Sequence, residues 1–210
     1  MSAPEQIAER APASARDRIL AAAVDRIARE GIEDVRIARI AMDAGVSTAL
    51  VHYHFDTRDA LLAEALEYSF EHAGDARVGP HGPLTGSHAE RLAQMVDQCL
   101  PNNDSLERDW VLWVEMWLRV IRHPEFRPIA EELYWRMERW FAKAIRDGID
   151  AGEFTRCDPD AVAERTVALI DGYGVRTLIG DNAMPLVRAR LAIGAALARE
   201  LGIGEQLPFR

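Results

Sequence analysis

Three observations predict an all-α fold of about nine helices. Apolar residues recur at three- and four-residue spacing from Ala15 to Leu201, and glycines stand where such runs stop. Strand-like alternation and Asn-Gly hairpin turns are absent. The expected division is a loose tail over residues 1–14, a three-helix domain containing a helix-turn-helix over 15–60, and a second helical domain over 61–210.

The first helix runs from Ala15 to Glu30 on Ile19, Leu20, Ala23, Val24 and Ile27, with Gly31 as its stop. A second covers about Arg36 to Ala44. Gly45 can then take left-handed backbone without a Cβ penalty. Ser47 caps a third helix, Thr48 to His54, because its hydroxyl can accept from a free amide of the next turn. Asp56 or Thr57 caps a fourth, with Leu61, Leu62, Ala65, Leu66 and Ser69 as its inner stripe. The stretch GDARVGPHGPLTGSH (74–88) is rich in Gly and Pro and marks a boundary. Beyond it, DWVLWVEMWLRVIR (109–122) puts Trp110, Trp113, Val114, Trp117 and Ile121 on one face, with Val111 and Leu118 beside it. Only Glu115, Arg119 and Arg122 form a polar strip, so burial on most sides is expected. Pro124 opens a segment in which Leu133, Met137, Trp140, Phe141, Ala144 and Ile145 align while Trp135 falls outside the stripe. An apolar run within 160–180 is interrupted by Asp171, and a final helix from about Pro185 to Leu201 is rich in Ala and Leu.

The segment IAMDAGVSTALVHYHF (40–55) carries the functional signal. Ala41 lets a second helix approach closely, Gly45 turns the chain, and Val46 and Val51 face inward with Ile40 and Ala44. The helix after the turn presents Thr48, Ala49, His52 and Tyr53 outward, a mixture of small, hydroxyl and aromatic groups that fits a DNA major groove. The plain alternative is an ordinary pair of helices joined by a glycine turn. Small residues on the last two helices suit close packing between two subunits, and reading two half-sites of an operator requires a two-fold partner, so a homodimer is expected.

Charge runs against this reading. The formal net charge is −9, from 25 basic and 34 acidic residues, and the first 60 residues are themselves slightly acidic. A locally basic face is still possible if Arg16, Arg18, Arg36, Arg39 and Arg58 share one side of the domain. Repulsion from an acidic body would weaken non-specific DNA binding and favour sites with many matched contacts. The two cysteines are too few for a disulfide framework or a zinc site. With no apolar run long enough for a bilayer and no secretion signal, a cytoplasmic protein without membrane contact is expected. An enzyme is not expected. His52 and His54 point different ways on one helix, and neither a phosphate-cradling Gly loop nor a Gly-x-Ser-x-Gly elbow is present. No metal or cofactor is expected either. The rival reading is a helical small-molecule-binding or scaffold protein without sequence-specific DNA binding.

The stretch ARDRILAAAVDRIAREGIEDVRIARIAMDAGVSTALVHYHFDTRDALLAEALE resembles the N-terminal domain of the tetracycline-repressor (TetR) family of transcription regulators. The likeness includes the helix ending at Gly31, the Ala-Gly-Val-Ser turn, the Tyr-His-Phe ending and the basic residue plus Ala-Leu-Leu that opens the fourth helix. The later segments PEFRPI, YWRMERWFAKAIRDGIDAGEF and DPDAVAERTVALIDGYGVRTLIGD are similar to the BetI-like, choline-sensing branch of that family. The resemblance implies an all-α homodimer that binds a double-stranded DNA operator, with the helices of 61–210 forming an effector-binding and dimerisation domain. A small molecule bound there would release a palindromic operator.

The family's DNA contacts fall on Thr48, Ala49, His52, Tyr53 and Arg58, and the expected DNA-binding set also takes in the capping Ser47 with Arg36 and Arg39. Thr48 and Ala49 would meet base edges, whereas Tyr53 and Arg58 would hold phosphate. The chain departs from the family pattern at His52, where Tyr is usual, and at helix two, where Val35 and Arg36 replace the usual Ser or Thr. Arg36 can replace the phosphate contact but not the cap, and Arg39 stands beside Ala38 where many members carry Arg. The effector cavity implied by the family would be lined by Trp110, Trp113, Trp117, Tyr134, Trp135, Asp171 and Tyr173. Aromatic faces with a carboxylate suit a cationic ligand, although so many tryptophans also serve as ordinary core. Asp171 could instead be satisfied by Arg176, Arg139 or a helix amide.

Overall fold

A computed structural model describes residues 14–77 and 84–209. The N-terminal tail, part of the Gly/Pro stretch and the side chain of Leu66 lie outside the described residues. Among the described residues there are nine α-helices, one 3-10 turn and no strand. The chain divides into two compact units, Met1–Tyr68 and Ser69–Arg210.

In the first unit, α1 (Ala15–Glu30) begins at a capping box in which the Ser14 hydroxyl accepts from the Asp17 amide while the Asp17 carboxylate accepts from the Ser14 amide. Its inner face, Ile19, Leu20, Ala23 and Ile27, meets Ile40 and Ala41 of α2 (Ile37–Asp43) and Val51 of α3 (Thr48–His54) in one small core. The α2–α3 turn is made at Gly45, whose φ of 65° is open to glycine at no steric cost, and the Val46 amide closes back onto the Ala41 carbonyl at 2.9 Å. Arg26 ties α1 to the end of α2, reaching both carboxylate oxygens of Asp43 and also Glu30. This pairing holds both carboxylates below the usual range, Arg26 being the first cause for each. α4 (Arg58–Arg77) starts at Thr57, whose hydroxyl accepts from the Ala60 amide at 3.0 Å.

The second unit contains α5 (His88–Gln98), α6 (Asp104–Arg122), a 3-10 turn (Pro124–Phe126), α7 (Arg127–Asp150), α8 (Pro159–Leu178) and α9 (Leu186–Leu201). α7 packs along α8 and against α5, while α8 also packs on α9. Side-chain caps open three of these helices: Ser87 with Glu90 on α5, Asn103 on α6 and Asp158 on α8. The core is built from Leu92, Met95, Val96, Leu112, Met116, Phe141, Ile145 and Ile170. α6 departs from expectation. Burial is confined to Trp110, Leu112, Trp113 and Met116, whereas Leu118 is exposed and Ile121 is 76% exposed. α6 is thus packed as far as Met116, and beyond it Leu118 and Ile121 face outward.

Candidate functional site

Two groups of side chains stand out. On α3 the residues expected to face outward do so: Thr48, Ala49 and His52 are exposed, and Tyr53 is 81% exposed. The opposite side of the helix is held by buried Val51 and by Phe55, over whose ring Arg16 stacks at 5.3 Å. Ser47 uses its hydroxyl to accept from the Leu50 amide at 3.2 Å, so it serves as the cap of the helix. Arg36 is exposed and sits at the N-cap of α2 without a side-chain cap, as its chemistry requires. Arg39 is exposed but leans on Glu30 at 3.1 Å.

Arg58 is engaged elsewhere. Its guanidinium donates to the backbone carbonyls of Val35 at 2.9 Å, Glu33 at 2.9 Å and Ile32. These carbonyls lie between α1 and α2, where helical partners are missing, and a charged fork from the start of α4 satisfies them. The residue expected at phosphate therefore braces the connection that sets α2.

In the second unit, α6, α7 and α8 bring Trp110, Trp113, Trp117, Tyr134 and Asp171 together. Trp117 Nε1 donates to the Tyr134 hydroxyl at 3.0 Å, and that hydroxyl donates to Asp171 Oδ2 at 2.7 Å. Trp113 stands 5.5 Å from the Tyr134 ring and 6.3 Å from Trp117, and Trp110 meets Trp117 edge to face at 6.4 Å. Trp110 is anchored by donating to the Cys99 carbonyl at 3.0 Å and by lying against Gly174, where a Cβ would fall 2.1 Å from the indole. A small cavity of about 20 Å³ remains, bounded by Trp110, Trp113, Asp171, Asp109, Met137 and Gln98.

The electrostatics of this group are unusual. Removal from water pushes the Asp171 carboxyl up to about 6, and the Tyr134 hydrogen bond only partly opposes that rise. The same burial, with Asp171 next, raises the Tyr134 phenol well above its ordinary range. None of the partners expected from sequence reaches Asp171: Arg176 pairs with Asp181, and Arg139 stacks on Trp135 at 4.5 Å. Trp135 is 50% exposed and lines an open basic depression on α7. Tyr173, two residues beyond Asp171, projects roughly 200° around α8 at 100° per residue, away from the carboxylate. The sequence reading missed Gln98, Asp109 and Met137, which carry no signal in their own segments and reach the cavity only because α5, α6 and α7 pack together.

Residues 88–202 match the model of the BetI-type transcriptional repressor C-terminal domain, and residues 19–65 match that of the tetR family of bacterial regulatory proteins. The chain belongs to the TetR family. The BetI 1 regulator of Chromohalobacter salexigens is 26% identical over 179 residues, which cover 83% of this chain and 84% of that protein. A transcriptional regulator of Saccharomonospora viridis, solved in complex with choline, is 35% identical. Its match spans 85% of this chain and 93% of its own, with a TM-score of 0.74. A TetR-family regulator from Rhodococcus sp. is 27% identical over 89% of this chain and 98% of its own, with a TM-score of 0.76.

This TetR-family chain is thus a ligand-responsive DNA-binding transcriptional regulator. Members of the family act as dimers. Uncovered apolar faces suited to such pairing lie on α8, where Ala168, Gly172 and Ile179 are exposed, and on α9, where Val187 and Leu191 are exposed one turn apart. No helix among the described residues is long and apolar enough to cross a membrane.

Proposed function

We propose that the chain is a homodimeric repressor that reads a palindromic operator through α3 and lets go when an organic cation, of the quaternary ammonium class, enters the aromatic cavity of the second unit. The observation that carries the ligand class is the Asp171 carboxylate. It is half-buried beside Trp110, Trp113 and Trp117, and among the described residues it is bonded by the Tyr134 phenol and by no cationic side chain. A buried charge without a counter-ion is costly, and an external cation would supply the counter-ion while the indole faces replace its water. The choline in the Saccharomonospora viridis regulator agrees with that chemistry.

The cavity is too small to receive such a cation as it stands, since about 10–15 Å³ of such space holds a single water and 20 Å³ holds little more. Entry therefore requires the indoles and the helices behind them to shift, which makes occupancy a change of conformation. An effector acts on the operator only through such a difference between states, typically worth ~1–3 kcal/mol of coupling.

In the first unit, Thr48, Ala49 and His52 are assigned to base edges and Tyr53 and Arg36 to phosphate, while Ser47 and Arg58 support the helices that present them. Arg39 reaches phosphate by exchanging its Glu30 partner. The exposed faces of α8 and α9 are assigned to the subunit contact. Acting on DNA places the protein in the cytoplasm. Its role is binding and not catalysis, because the cavity presents no convergent acid, base and nucleophile set.

The test is to select operators from random duplexes, then titrate choline against the complex. Release of the operator by choline supports the reading. Selection that recovers no site, or a complex indifferent to choline and other quaternary ammonium ions, would contradict it.

A further inference from the structure

Gln98, at the C-terminal end of α5, is 7% exposed, and its Oε1 is buried without a hydrogen-bond partner among the described residues. A buried acceptor left without a donor costs free energy and is uncommon in native structures. Gln98 lines the cavity together with Trp110, Trp113 and Asp171. It also borders a second cavity of about 390 Å³, whose walls include Asp97, Asn102, Arg190 and Phe209. Gln98 thus stands between the aromatic site and this second cavity. Of the other polar groups that line the site, Asp171 already receives the Tyr134 hydroxyl, and Trp110 spends its N–H on the Cys99 carbonyl.

We propose that Gln98 is the residue by which this regulator selects its cation: its orphan oxygen accepts a hydrogen bond from a hydroxyl or N–H on a short arm of the ligand. The ligand is then a cation bearing a donor, and not an ammonium ion with a purely apolar arm. This rests on the reading of the cavity as a cation site. The orphan acceptor explains how selection arises, because it is satisfied by a donor-bearing ligand and stays buried and unsatisfied under one without a donor. A site with a polar group waiting for a donor rejects the analogue that lacks it more strongly than an apolar wall would.

Three probes separate the terms by calorimetry on the full chain. They are choline, its O-methyl ether (2-methoxyethyl)trimethylammonium, and tetramethylammonium. All carry a quaternary ammonium group, and only choline carries a donor. The wild-type protein is expected to bind choline on the order of tenfold or more tighter than the ether. In Gln98→Met, which keeps the length of the side chain, choline should fall to the affinity of the ether while tetramethylammonium changes by less than about twofold. Equal affinity of the wild type for choline and the ether would overturn the proposal, as would a preference for choline that survives in Gln98→Met. Should the variant fail to fold, the wild-type ratio alone decides. If none of the three probes binds the wild type, the cation reading of the cavity fails and this proposal with it.

Discussion

The two units spend their polar groups in opposite ways. On α3 of the first unit, Thr48, His52 and Tyr53 stand in water, supported from behind by a small apolar core and by the Ser47 cap. In the second unit the informative polar groups lie among packed helices, where half-buried Asp171 has lost part of its water and gained one phenol and Gln98 has an oxygen with no partner among the described residues. A surface that reads DNA loses little by waiting, because water satisfies it until the duplex arrives. An interior that senses a ligand is held short of its most stable arrangement, and the ligand makes up the difference. The outer face of α3 is thus complete before its partner arrives, whereas the cavity of the second unit is not.

Removing the buried charge should show this difference most strongly. Asp171→Asn is expected to weaken choline binding by roughly 30-fold or more, the usual scale for deleting one partner of a desolvated charge pair, and to abolish operator release. Operator affinity without ligand should be unchanged. The same substitution should make the protein more stable near neutral pH. Because the folded carboxyl lies at about 6 and an unfolded Asp near 3.8, the folded state binds more protons between those values. Stability therefore declines as pH rises from about 4 to about 6 and stays lower above that. The Asn variant lacks this loss, and a gain of ~2 kcal/mol at pH 7.5 in urea denaturation is the expected size. A variant that is both less stable and still responsive would erase the contrast between the units.

In the first unit, Thr48→Ala should cost ~1–3 kcal/mol of specific operator affinity and relax selection at one base position, with choline binding unaltered. Arg58→Ala leaves carbonyls of the α1–α2 connection without a donor. A loss of about 1–2 kcal/mol in stability is expected, at the lower end because the side chain remains partly exposed. If Arg58→Ala instead lowered the salt dependence of DNA binding with stability intact, the residue would be a phosphate contact after all. Arg36→Ala should have the smallest effect, a uniform weakening across sequences and a salt slope reduced by about one.

How much of this was readable beforehand follows from the range of each interaction. The geometry of α3 was legible because its determinants are local: Gly45 makes the turn, Ser47 caps the helix, and Val51 fixes which face is buried within a few residues. Arg58 was located but not understood, since its acceptors belong to a connection more than 20 residues earlier and no periodicity points to them. The cavity was half legible. Trp110, Trp113, Trp117 and Asp171 were named because aromatic and acidic residues are conspicuous in apolar helices. Tyr134 and Trp135 are adjacent in sequence, yet only Tyr134 turns toward the carboxylate. Gln98 was invisible for a plainer reason: a lone glutamine acquires meaning only when packing buries it without a partner. Ile121 was misplaced because a helical wheel cannot tell which half of a long amphipathic helix its neighbours cover.

The pairing of an external cation with the Asp171 carboxylate is tested most directly by calorimetry of choline binding across pH in the wild type and in Asp171→Asn. With the carboxyl at about 6, wild-type affinity should be flat above pH 7 and fall roughly tenfold per pH unit well below 6. At pH 6 each binding event should release about half a proton, read from the dependence of the heat on buffer ionisation. Affinity that ignores pH, no proton release, and undiminished binding by the Asn variant would together show that Asp171 is not the counter-ion.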